Sequence, residues 1–161
     1  MKKVFSRSMK EYLAEFKWIV YALAAMTVIR FLLQPIGVPI EIGGRIFSMT
    51  NIVFILIIGY GIYFALKQGK FGDVFVTSLF ISVVFTAFMA VALVISFFSG
   101  IDTYFTNPMH IGPTPNIPQH LLAHLQAIPF AGLFSGVLGH IVFGVTKLVL
   151  YIKHRREPAA A

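Results

Sequence analysis

The chain has 161 residues, 58% of them hydrophobic and 12% charged, and a mean hydropathy of +0.84. Soluble domains carry about 25% charged residues, and the apolar residues here gather into runs long enough to cross a bilayer, so an ordinary soluble domain is excluded and a polytopic all-α membrane protein is predicted. The net charge of +7 lies beside those runs, as topology signals and anionic-lipid contacts do, which argues against a nucleic-acid partner, and the lack of cysteine excludes disulfides and thiolate chemistry.

Residues 1–17, MKKVFSRSMKEYLAEFK, are basic and amphipathic. Phe5, Met9, Tyr12, Leu13 and Phe16 fall on one helical stripe, with Lys2, Lys3, Arg7 and Lys10 elsewhere. The segment reads as a cytoplasmic helix over 4–17 lying in the membrane interface, its basic side chains on lipid headgroups. A partner-binding helix is the competing reading.

The first span covers about 18–34. A basic start before an apolar run also fits a signal peptide, but YALAA is a poor cleavage site, and a retained helix is expected. Arg30 interrupts this span, and its long side chain reaches toward the outer headgroups, where it contacts lipid. Pairing with Asp102 or Glu41, or with an anionic ligand, is the alternative. Pro35 and Pro39 in QPIGVP end the helix.

The second span, 46–66, contains GYG at 59–61, which lacks the flanking residues of a channel filter and reads as a packing surface. KQGKFGD, residues 67–73, is a polar turn before the third span, 74–98. The fourth span, 130–152, leads into a basic cytoplasmic tail, 153–161, so the membrane domain as a whole covers 18–152. Eleven of the thirteen Lys and Arg residues fall on one side of this four-helix bundle, which places the N- and C-termini in the cytoplasm.

The outer loop, 99–129, holds five of the eight prolines and three of the five histidines. Within it a short interfacial helix is predicted over 117–128, capped by Asn116 with Pro118 in its first turn. His120 and His124 are one helical turn apart and fit a metal ion, with His110 or Asp102 as third ligand. The leading reading is nevertheless the polar edge of a surface helix, with the metal site and a pH-responsive lid as the alternatives.

The fourth span carries GLFSGVLGHIVFG, residues 132–144, with a titratable His140 between glycines. Counted from residue 130, His140 lies about 15 Å into the helix, near the bilayer midplane. Gly132, Gly136, His140 and Gly144 share one face, beside Ser135 and Gly139, and small residues at this spacing let another helix approach closely. The partner expected is a stripe on the third helix, Ser78, Ser82 and Thr86, with His140 as interhelical glue.

Two other roles for His140 stand beside that one. It suits a haem or quinone subunit, although no second histidine lies in a span and Met89 is the remote substitute. It also suits a proton or ion path. No nucleotide loop, nucleophile triad, intramembrane carboxylate pair or metalloprotease motif is present. The expectation is a non-enzymatic accessory subunit or homo-oligomer, partnered by lipids, by other membrane subunits or by itself, in a bacterial inner membrane. An electron-transfer subunit and a small transporter or channel are the alternatives.

Overall fold

A computed structural model describes residues 7–46, 48–107 and 116–156, all helix and connecting turns with no strand among them. The helices are α1 (Met9–Leu33), α2 (Ile40–Ile46), α3 (Met49–Leu66), α4 (Phe71–Ser99) and α5 (Ile117–Arg156). Four stretches are long and apolar enough to cross a membrane: Met9–Leu33, Ile40–Leu66, Phe71–Ser99 and Pro118–Arg155. This is an integral membrane protein by helix length and composition, and the four spans expected from the sequence are present.

The helix ends differ from expectation in two places. α1 begins at a capping box, in which the Ser8 hydroxyl accepts the Glu11 N–H and the Glu11 carboxylate accepts the Ser8 N–H at 2.7 Å. From there it runs without a break through residue 17. The surface helix and the first span are therefore one element, because no glycine or proline separates them. Likewise α5 runs from Asn116, whose carboxamide oxygen caps it at 3.1 Å from Gln119 N, straight through Pro129. Proline removes one ladder hydrogen bond, a loss that membrane-spanning helices tolerate. The short helix predicted over 117–128 is thus the first three turns of α5.

Local chemistry explains the remaining boundaries. Gly37 takes a φ of +87° and closes the end of α1, with Val38 N bonding Leu33 O at 2.9 Å. α3 starts on Ser48, and Gly69 N returns to Phe64 O at 2.7 Å to form the turn into α4. Gly100, at φ +65°, is the left-handed cap of α4.

Three buried clusters lie along the bundle. Ile19, Leu23, Val53, Ile57 and Ile81 join α1, α3 and α4, flanked by Phe16 stacked on Phe80 at 3.8 Å. Phe64, Ala65, Val74 and Phe143 join α3, α4 and α5. Ala92, Leu93 and Phe105 close the opposite end. Outward faces carry Trp18, Ile55, Val91, Phe98, Phe134 and Ile141, which suits acyl chains rather than water.

α5 has 40 residues against 29 for α4, about 60 Å against about 43 Å. It therefore overhangs its neighbour, and the register described next places the overhang at the Arg156 end.

Candidate functional site

The small-residue face of α5 packs against α4. A Cβ on Gly132 would lie 2.6 Å from Leu79 Cδ1, and one on Gly136 3.0 Å from Phe75 Cδ2. On Gly139 it would meet Ser78 Oγ at 2.7 Å and Val74 Cγ1 at 2.9 Å. Between these glycines, Ser82 Oγ on α4 donates to Ser135 Oγ at 2.8 Å. Ser78 and Ser82 thus face α5 as the stripe predicts, whereas the Thr86 hydroxyl turns back to Ser82 O at 2.9 Å on its own helix. At Gly144 an added Cβ would meet nothing within 4 Å, so the close contact ends before it.

His140 closes the seam at one end of the bundle, well away from its middle. Its Nε2 lies 3.0 Å from the carbonyl of Phe71, the first residue of α4, and the ring stacks on Phe71 at 5.3 Å. Nδ1 lies 2.6 Å from Gly136 O. α5 begins thirteen residues before residue 130, so His140 lies 23 residues from its start, level with the first residue of α4. The serine stripe lies deeper in the bundle and does not reach the imidazole. Both ring nitrogens face carbonyl oxygens. A neutral ring donates to one, and a protonated ring donates to both. Ligation of haem iron by either nitrogen requires breaking one of these contacts.

A second polar cluster lies at the same end, unforeseen in the sequence. Tyr12 of α1 donates its hydroxyl to Asp73 Oδ1 of α4, and both residues are buried. Asp73 also accepts the Lys70 N–H at 2.6 Å, so one carboxylate caps α4 and holds α1. Nearby, Arg7 pairs with Glu15, and Tyr63 of α3 donates to the same Glu15 oxygen at 3.0 Å. Burial opposes the Arg7 charge, but the Tyr63 and Glu15 contacts outweigh it and raise its pKa. The stripe read as lipid-facing is therefore divided: Tyr12 turns inward while Met9 and Leu13 remain exposed. The acid at Asp73, beside an otherwise apolar run, was the available signal.

At the far end Arg30 is 4% exposed, its guanidinium 3.5 Å from the centre of the Tyr104 ring. The sequence sends this side chain outward to headgroups; the structure turns it inward, with Gln34, Val38, Pro39 and Gly43 around it. His120 and His124 stand half-buried on the first turns of α5. Asp102 is not brought to them, and no group of three potential metal ligands forms among the described residues. His110 lies outside the described residues, as do Lys2 and Lys3; Lys10 is exposed.

Two grooves open on the sides of the bundle. One, of about 300 Å³ between α1 and α4, is lined by apolar side chains including Val28, Phe88, Val91 and Ile95. The other, of about 480 Å³ between α1 and α3, runs from Glu15 and Tyr63 to Ile55. No family model, curated protein or solved structure matches this chain.

Proposed function

We propose that this protein is a non-enzymatic membrane assembly unit, either an accessory subunit or a homo-oligomer, with both termini in the cytoplasm of a bacterial cell. The observation carrying the reading is the sideways apolar groove between α1 and α4, lined by Val28, Val91 and Ile95. It offers a neighbouring helix a place for its ridge of side chains, at the spacing by which helices interdigitate. Much of the buried polar inventory, by contrast, is used as staples: Ser82 to Ser135, Ser96 to Thr103, and Tyr12 to Asp73. The small-residue face is occupied within the chain, so partners meet another surface. The Lys and Arg bias supports the orientation.

Native mass spectrometry from mild detergent tests this. The expected particle contains more than one copy of the 17.9 kDa chain, or the chain with another membrane protein. Val28→Trp with Val91→Trp fills the groove and releases single copies. A wild-type preparation consisting only of single copies, with nothing co-purifying, rejects the reading.

A further inference from the structure

We propose that the groove between α1 and α3 is a binding site for one phospholipid with a primary-ammonium headgroup. This is independent of the assembly reading, since the two grooves lie on opposite sides of α1. The mouth of the groove carries both signs of charge. Glu15 Oε1 is engaged by Arg7 and by the Tyr63 hydroxyl, while Oε2, though buried, has no hydrogen-bond partner. Lys17 Nζ stands 5.3 Å from the Trp18 ring centre, and the Arg7 guanidinium 5.1 Å from that of Tyr63. A carboxylate beside a guanidinium complements a zwitterion: the ammonium meets Glu15 and the phosphodiester meets Arg7.

The headgroup class follows from the open acceptor. A carboxylate oxygen lacking a donor takes an N–H, which a primary ammonium has and a quaternary ammonium lacks. A partial turn about the soft terminal torsion of glutamate brings Oε2 toward the groove and loosens the Oε1 contacts to Arg7 and Tyr63, freeing Arg7 for the phosphodiester. Trp18, Tyr60 and Tyr63 line this end with amphipathic rings suited to the headgroup level.

Below the mouth the groove is apolar and open. A Cβ on Gly59 would meet nothing within 4 Å, so no neighbour in the bundle explains this glycine. A glycine inside a helix costs about 1 kcal/mol relative to alanine. Here it keeps the floor low beside Ile55, which is 67% exposed and available to an acyl chain.

Trp18 is the sole tryptophan in the chain and lines the site, so its fluorescence reports on the groove. The protein is reconstituted with phosphatidylethanolamine, phosphatidylcholine or phosphatidylglycerol, each brominated on its chains and mixed in turn into an unbrominated bilayer. Brominated phosphatidylethanolamine is expected to quench Trp18 at about ten- to hundredfold lower mole fraction than the other two, the ratio that one hydrogen bond to a charged group supplies. Gly59→Leu, which fills open space and leaves the polar mouth intact, is expected to abolish the preference. Glu15→Gln is expected to remove the headgroup preference while quenching by all three persists. Equal quenching by the three lipids in the wild type overturns the site, as does an absence of quenching by any, the outcome when a second copy covers the groove.

Discussion

α5 and α1 are both long apolar helices, yet they are attached in opposite ways. α5 meets α4 along a seam of missing side chains, where Gly132, Gly136 and Gly139 accept Leu79, Phe75, Ser78 and Val74. α1 is held at its ends, by Tyr12 on Asp73 at one and by Arg30 and Phe31 against Tyr104 and Phe105 at the other. Its middle makes the Ile19, Leu23 and Phe16 contacts, and a groove opens on either side of it. Lipid supplies no hydrophobic drive between helices, so close backbone approach and hydrogen bonds must do the joining. The seam uses the first device over its whole length; α1 relies on the second at its two ends.

The largest effect should come from blocking the seam. Gly139→Leu drives a side chain into Ser78 and Val74 on α4, with Ile57 of α3 at 3.6 Å from its Cβ. Unfolding in bicelles by denaturing detergent should show a loss of about 3 kcal/mol or more. Gly144→Leu, one turn beyond the contact, faces open space and should remain within about 0.5 kcal/mol of wild type. Equal losses from the two would dissolve the distinction between seam and overhang.

Releasing α1 should cost less. Asp73→Ala removes the α4 cap and leaves the Tyr12 hydroxyl buried without its acceptor, which is expected to cost about 1–3 kcal/mol. Hydrogen exchange should then speed up over 9–16 while the α5 seam stays protected. Uniform acceleration through all helices would show that α1 and the seam unfold as one unit.

The smallest effect sharpens the comparison from the other side. A double-mutant cycle on Ser82→Ala and Ser135→Ala should give a coupling of about 0.6 kcal/mol, the usual value for one interhelical hydrogen bond in a bilayer. A coupling several times larger would mean that the seam, like α1, depends on its polar contacts.

The number of spans was legible because each apolar run has membrane length, and the α5 face because glycines four apart share a side. Three features escaped. Tyr12 and Asp73 are 61 residues apart, and a stripe containing Tyr12, Met9 and Leu13 has the same periodicity whichever part faces inward. The continuity of α5 was hidden by Pro129, a helix breaker in water that membrane-spanning helices tolerate. The partner of His140, the Phe71 carbonyl rather than the serine stripe, escaped because it follows from register against α4, which hydropathy does not encode. The register puts about 24 Å of α5 beyond His140, carrying Leu148, Val149 and Ile152 exposed past the first residue of α4.

Disulfide trapping across the seam tests most directly whether this small-residue face closes inside one chain and leaves other surfaces for neighbours. The chain has no cysteine, so Ser82→Cys with Ser135→Cys introduces the only two thiols, at positions whose hydroxyls now lie 2.8 Å apart. Mild oxidation in the membrane should give a cross-linked single chain that migrates as a monomer and keeps its helix content. A disulfide-linked dimer in its place would mean that α5 seals against a second copy, contradicting the closure of this face within one chain.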